Sequence, residues 1–409
     1  MIQSFSIENF KSFRKATLPL APLTLLIGAN ASGKSNAIEA IQLLAWLGSG
    51  HPLNDLLYGV REQELSLRGG YRDLWSGDGD IVLGCTLMEN SERPLFSASL
   101  SLGATESGLR ITKERLRLGE ELLYESTDTL QGSKTADKPY FVTILQGDKR
   151  RPNFEVLKAS IELVTELSFT FLLDPDPKRM REYSFVQEQQ LKRDGSAISS
   201  VLRRLTEEEG KKASILDFIH SLPEQDISDI GYIETPRGEV MVQLHETFGG
   251  KAVPRDAALL SDGTLRVLAV AAALLSIPEG SVIVIEEIDN GVHPSRAEKL
   301  LADIRRIASE RNLRVLLTTH NPALLDALPV EAIPDTVACY RDPVEGDSRL
   351  IRLEELASYP ELVAQGPLGR LVTKGILDRY LKEPEKRDPA AKAERGLAWL
   401  SEFRRAQSS

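Results

Sequence analysis

The sequence predicts an α/β protein: a parallel sheet flanked by helices, an antiparallel β-lobe, and a mixed helical and β insertion. Three observations carry that expectation. The all-apolar run Leu23–Ile27 is followed by a glycine-rich break and then by helical spacing at Ile38, Ile41, Leu44, Ala45 and Leu47, and buried parallel strands read as such continuous runs. Between 51 and 150 the apolar runs are short and separated by polar or glycine-containing breaks, as in antiparallel lobes. Beyond 260, helical and strand patterns alternate, as they do in βαβ units.

Taken in order, Ile2–Ile7, Ala16–Leu20 and Leu23–Ile27 read as strands, and the helix from Asn36 stops at Gly48. Ile81–Met88, Leu95–Leu102 and Leu109–Leu118 read as strands of the β-lobe, and 154–167 and 197–219 as helices. Asp174-Pro175-Asp176-Pro177 reads as a rigid turn, although Asp174-x-Asp176 superficially resembles a metal-binding pair. Ile230–Glu234 and Glu239–His245 are strand-like; Leu265–Leu275 and Arg296–Ala308 are helical; Ser281–Ile285 and Arg314–Leu317 are buried strands. The implied organisation is a split head (1–50 and 225–382), a β-lobe (51–150), a mainly helical insertion (151–224) and a charged tail (383–409). No sustained heptad pattern predicts a coiled-coil arm.

Composition narrows the class. The chain has 409 residues, 42% hydrophobic and 27% charged, an ordinary globular mix. The longest near-continuous apolar run, 267–277, is about half of a membrane-spanning helix, and the first residues lack a secretory pattern. No membrane partner is expected. Cys85 and Cys339 cannot build a disulfide framework, so a reduced cytoplasm fits. A formal charge of −10 argues against an extensively basic surface, leaving room only for a local nucleic-acid patch. Lys178, Arg179, Arg181, Lys192, Arg193, Arg203, Arg204, Lys211 and Lys212 are the candidates, interrupted by Glu207, Glu208 and Glu209. A protein-partner surface reads equally well there.

Four motifs carry chemistry. Gly28-Ala29-Asn30-Ala31-Ser32-Gly33-Lys34-Ser35 matches G-x-x-x-x-G-K-[ST]. Gly28 and Gly33 let the backbone, Asn30 included, curl around phosphates. Lys34 supplies positive charge for the β/γ-phosphates and Ser35 a hydroxyl for Mg2+. A triphosphate with Mg2+ is therefore the expected ligand. Val282–Ile285 ends in Glu286 and Glu287, the first assigned to the metal and the second to the attacking water. Ser261 and Gly263 in Leu260-Ser261-Asp262-Gly263-Thr264 make either an anion-binding helix start or a plain N-cap. His320, after a buried strand in Thr318-Thr319-His320-Asn321-Pro322, sits on the ligand side of an α/β sheet.

The order of these pieces resembles the ABC-type ATPase heads of the SMC/RecF/OLD group, above all the OLD-like "AAA family" ATPases of bacterial and phage-defence operons. Ile7-Glu8-Asn9-Phe10-Lys11-Ser12-Phe13 resembles that group's first strand. The resemblance implies a head-to-tail homodimer, or a higher even oligomer, with two ATPs sandwiched between subunits. Ser261 and Gly263 would then serve the other subunit's ATP, Asp289 and Asn290 would form the D-loop, and His320 would be the switch histidine. Glu286 departs from the group's usual Asp. The magnesium-contacting glutamine has no assigned position; Gln63 and Gln146 are candidates. Only 89 residues follow His320, too few for the TOPRIM nuclease of full-length OLD proteins after the ATPase completes its sheet. The expected function is ATP-driven dimerisation regulating a separately encoded effector, a nuclease among the candidates, in phage defence or DNA repair. The alternatives are a nucleotide-gated scaffold or sensor with little turnover, and a transporter ATPase, against which the antiparallel N-terminal strands and LSDGT argue.

Overall fold

The computed structural model describes residues 1–58, 65, 67–77, 79–88, 96–105, 108–127, 137–146, 152–219, 227–248, 251–288 and 294–382. Its strands run β1 (Ile2–Phe10), β2 (Phe13–Pro19), β3 (Leu23–Ile27), β4 (Ile81–Leu87), β5 (Phe96–Thr105), β6 (Gly108–Leu118), β7 (Glu121–Thr127) and β8 (Thr170–Leu173). They continue with β9 (Ser184–Phe185), β10 (Ile227–Glu234), β11 (Glu239–Phe248), β12 (Lys251–Asp256), β13 (Val282–Ile285), β14 (Arg314–Thr318), β15 (Val337–Arg341) and β16 (Ser348–Arg352).

Among the described residues, three sheets result. An antiparallel sheet has the order β2-β1-β4-β5-β6-β7, and a smaller antiparallel one joins β10, β11 and β12, with β9 on β11. The sheet that positions the site has the order β16-β15-β3-β14-β13-β8, parallel except for β16. Side chains alternate across a strand, and the sequence exploits this. Leu23, Leu25, Ile27, Ile283, Ile285, Val315 and Leu317 enter one core with the Asp262–Ser276 and Pro294–Glu310 helices. Leu26, Val282, Val284 and Leu316 enter a second core with the Lys34–Gly48 and Phe154–Ser168 helices and the inner face of the large antiparallel sheet. Burial on both faces explains why these strands read as unbroken apolar runs.

Two expected boundaries shift. β1 and β2, assigned to the head with β3, are strands of the antiparallel sheet, because β1 pairs β4 with Phe5, Ile7 and Phe10 facing its core. The stretch expected as a helical insertion, 151–224, instead opens with a part of the head. The Phe154–Ser168 helix packs against the Lys34–Gly48 helix, and Gly48 allows close approach, since a Cβ there would lie 2.5 Å from Leu167. β8 then pairs β13 in parallel; it begins one residue after the Phe154–Ser168 helix, with no turn signal in the sequence to separate the two. The helix expected over 197–219 is broken into Ile198–Arg203, a π-turn over Arg204–Glu208 and Lys212–Ile219, with Gly210 in left-handed backbone between them. β15 and β16 complete the opposite edge as a hairpin, its residue Ser348 donating to the Ser12 carbonyl in the β1–β2 turn (2.7 Å).

Candidate functional site

The sequence-predicted residues gather where parallel strands end. The Gly28–Ser35 loop leaves β3, Glu286 and Glu287 leave β13, and His320 leaves β14. Strands of one parallel sheet deliver their C-terminal loops to the same edge, where α/β proteins bind ligands.

The loop wraps around its own lysine. Lys34 Nζ donates to the carbonyls of Gly28 (2.7 Å) and Ala29 (3.1 Å). The other side is held by the β15–β16 hairpin: Arg341 Nε donates to Ala31 O (3.2 Å), and Cys339 Sγ (3.3 Å) and Ser348 Oγ both donate to Ser32 O. With these carbonyls engaged by protein donors, the amides at the start of the Lys34–Gly48 helix are the polar groups left for an anion. Asn30 is exposed and Ser35 half-buried at the helix start. Burial pulls the Lys34 ammonium below the ordinary lysine value, partly offset by Cys339 and Glu287 nearby. Gly28 and Gly33 both have positive φ, and at Gly28 close packing adds a second reason for glycine. Its φ is +153°, and a Cβ there would lie 2.1 Å from the Cys339 carbonyl oxygen.

Glu287 has a left-handed backbone, φ 50°, and its N–H donates to Thr318 Oγ1 on β14 (3.0 Å). A non-glycine residue held there is a strained feature of a type that clusters at functional sites. Glu286, next to it, has its carboxyl pushed above the usual range, first by burial and then by Asp174. Asp174 is the residue the sequence reading assigned to a turn. The β8–β13 register pairs Leu173 with Ile285, so Asp174 follows β8 beside Glu286, and both line a cavity of about 290 Å3 with Glu287 and Arg266. Its location could be found only once β8 was known to neighbour β13. Among the described residues no three His, Cys, Asp or Glu side chains converge as a metal cage. The hard oxygen donors Ser35 and Glu286 nevertheless suit Mg2+, which binds through one or two protein oxygens plus substrate phosphates.

Ser261 caps the Asp262–Ser276 helix, accepting from Thr264 N–H (3.1 Å), so the N-cap reading holds in its geometry. Ser261 is exposed while Gly263 is buried. Among the described residues no hydrogen bond joins either to the Gly28–Ser35 loop of the same chain. The cap is braced from outside by Arg181, whose Nη2 donates to Leu260 O (2.9 Å) and Asp262 Oδ1 (2.5 Å). His320 is exposed, between Thr319 and Asn321; the Asn321 side chain caps the Pro322–Asp326 helix. Asp289, Asn290 and Gln63 lie outside the described residues, as does the side chain of Gln146.

Other residues also brace the site. Buried Glu39 on the Lys34–Gly48 helix pairs with Lys11 and Arg68 (2.6 Å), tying the β1–β2 turn to the loop helix. The basic run over 178–212, by contrast, does not form a free cationic face. Arg179 pairs with Asp194, Arg181 with Asp262, Lys192 with Glu188, Arg193 with Asp174, Arg203 with Glu234, Lys212 with Asp229, and Arg204 and Lys211 with Glu209. Phosphate binding needs unneutralised cations, so the structure gives the nucleic-acid reading of this run no support.

Fold and site geometry together are those of an ABC-type ATPase head fold, similar to SMC heads. A family model described as "AAA ATPase domain" matches residues 1–173, and one described as "AAA domain, putative AbiEii toxin, Type IV TA system" matches 150–326. The chain is 35% identical over 100 residues to the DNA replication and repair protein RecF of a Cyanothece species, a match covering 22% of this chain and 26% of RecF. It is 41% identical over 69 residues to RecF of Gloeobacter violaceus, covering 17% of this chain and 16% of RecF. These matches thus span 26% and 16% of those relatives' lengths. The crystal structure of the SmcHead bound to the C-winged helix domain of ScpA shares the fold, with TM-score 0.50 and 14% identity over 86% of this chain and 97% of that one. Among the described residues no helix is long and apolar enough to cross a membrane.

Proposed function

We propose that the chain binds ATP with Mg2+, dimerises head-to-tail around two nucleotides, hydrolyses them, and thereby regulates a separately encoded effector in phage defence or DNA repair. The observation that carries the reading is the juxtaposition of the lysine-centred Gly28–Ser35 loop with Glu287 across the ends of β3 and β13. In this reading the loop amides and Lys34 hold the β/γ-phosphates, and Ser35 and Glu286 hold the metal, with Asp174 beside them. Mg2+, when bound, supplies charge neutralisation at the phosphates. Glu287, held in position by Thr318, orients the attacking water and takes up its proton; His320 serves the γ-phosphate end. The exposed Ser261 cap, which among the described residues makes no hydrogen bond to the Gly28–Ser35 loop of its own chain, serves the nucleotide of the second subunit. The SmcHead structure contains a bound domain of ScpA, a precedent for a separate partner on a head of this fold.

Phosphate release, nucleotide binding and light-scattering mass, measured on wild type, Lys34→Ala and Glu287→Gln, test this reading. Lys34→Ala should lose ATP binding, whereas Glu287→Gln should bind ATP and accumulate as a dimer without turnover. A Glu287→Gln variant that hydrolyses ATP at the wild-type rate refutes its role, and an ATP-saturated monomer refutes the shared site. Wild-type binding without turnover favours the scaffold reading. Purification with the neighbouring gene products tests the effector, and recovery of this chain alone counts against it.

A further inference from the structure

The Asp262–Ser276 helix is held at both ends by cations of the 174–212 segment. At its far end Lys211 Nζ donates to Leu275 O (2.9 Å), where a cation suits the negative end of the helix dipole. At its start the cation is Arg181, and there the dipole gives no reason for one, since the positive end favours anions. The reason lies in Asp262, the first residue of the helix, whose Oδ1 accepts from Arg181 Nη2 (2.5 Å). The same nitrogen donates to Leu260 O (2.9 Å), so one guanidinium spans the two residues flanking Ser261. Arg181 is itself fixed in place. Its N–H donates to Pro177 O (3.2 Å), and Met180 before it is buried in the first core. Upstream, the Asp174 and Asp176 N–H groups donate to the Arg193 and Asp194 carbonyls (2.9 and 2.8 Å).

A carboxylate in the first turn competes with any anion that the helix start is to receive. Asp262 is exposed beside Ser261, and an unpaired charge there would repel phosphate while occupying the favourable end of the dipole. We propose that Arg181 is a positioning residue for the shared nucleotide site. It neutralises Asp262 and holds its carboxylate in an ion pair, leaving the Ser261 end of the helix to the phosphate of the nucleotide bound by the second subunit. The role rests on the proposed reading that the Ser261 cap serves that nucleotide, and it explains how an acid is tolerated at the cap. It also gives the 174–181 stretch two tasks. Asp174 at its start lies beside Glu286, while Arg181 at its end braces the cap. One short, braced strip of chain thus joins the carboxylate end of one nucleotide site to the cap that serves the other.

The test is sedimentation of the full chain with saturating magnesium and a non-hydrolysable ATP analogue, which reads the dimer dissociation constant, beside titration of dilute monomer with the same analogue. Arg181→Met should weaken the dimer at least about tenfold and leave the monomer's affinity for the analogue within about threefold. Arg181→Met/Asp262→Asn should recover the wild-type dimer constant to within about threefold, because without the acid the cap needs no counter-charge. Lys211→Met removes the cation from the other end of the same helix and should leave the dimer constant unchanged. Thermal melts establish folding. Should Arg181→Met not fold, Arg181→Gln, which keeps a donor for Leu260 O without the charge, carries the same expectation. Unchanged dimerisation in a folded Arg181 variant overturns the proposal. So does a double variant as weak as the single one, which reduces Arg181 to its Leu260 bond, and so does equal weakening by Lys211→Met, which reduces it to helix stability. In each of these cases a wild type that dimerises leaves the shared-site reading standing, whereas an analogue-saturated wild type that stays monomeric refutes that reading and the role of Arg181 together.

Discussion

Gly28→Ala puts the loop geometry to its most direct test. The alanine Cβ would stand 2.1 Å from the Cys339 carbonyl oxygen and 2.8 Å from Ser32 Oγ, where ordinary contact begins at 3.4 Å. Either β15 or the loop must therefore yield by more than an ångström. Cys339 is buried in the second core with its strand paired on both sides, so the loop is the part that moves. Overpacking of this kind costs about 1–3 kcal/mol, and an L-residue at φ +153° adds about 1–3 kcal/mol of strain. Moving the amides also removes them from the phosphates, so affinity for a fluorescent ATP analogue should fall at least about tenfold, or 1.4 kcal/mol. Urea unfolding and nucleotide titration of the same protein separate the two effects. Gly375→Ala is the control, because its φ is +63° but a Cβ there meets nothing within 4 Å; it should cost about 1 kcal/mol of stability and leave affinity alone. Gly28→Ala with affinity within about threefold of wild type (under about 0.7 kcal/mol) would refute the reasoning.

Three further predictions concern charge and burial. Glu39→Gln strands the buried Lys11 ammonium and should cost about 3 kcal/mol by urea denaturation, most of it regained in Lys11→Met/Glu39→Met; a loss under about 0.5 kcal/mol contradicts the pairing. Burial pushes the Cys85 thiol up to about 12 and the Cys339 thiol up to about 11, so neither should react with a disulfide reagent at pH 8 in the native protein, whereas unfolding should release both; fast native labelling is the adverse result. Asp174→Asn removes a like charge and should move the Glu286 titration in the metal-free protein to lower pH, as followed by carboxyl-carbon NMR. The sign follows from the direction of the shift: a carboxyl whose folded pKa is raised favours folding while protonated, and that advantage is lost as pH rises from the ordinary value of 4.5 through the folded one. An unchanged midpoint would show that burial alone raises it.

The geometry of the Gly28–Ser35 loop was readable in the sequence because its determinants are contiguous. Leu23–Ile27, the glycines, Lys34 and Ser35 form one strand, turn and helix start, and local sterics dictate each part. The same holds for Val282–Glu287 and for the Ser261 cap. What the sequence concealed depends on which strands become neighbours. β8 follows the Phe154–Ser168 helix with one residue between and β15 stands next to no motif, so neither was marked out as the equally short β3, β13 and β14 were, yet β8 brings Asp174 beside Glu286 and β15 supplies Cys339 and Arg341 behind the loop. Glu39 reads as an ordinary helix-surface acid until Lys11 and Arg68 close over it, and the nine basic residues of 178–212 read as a possible patch until eight of them, all but Lys178, are seen paired with acids. By itself the sequence determined the local geometry of the Gly28–Ser35 loop and of the Glu286–Glu287 strand end, since backbone conformation and side-chain type act over a few residues. Tertiary structure alone decided which distant carboxylates, cations and cavity walls share that site, since their approach is set by strand pairing across the whole chain.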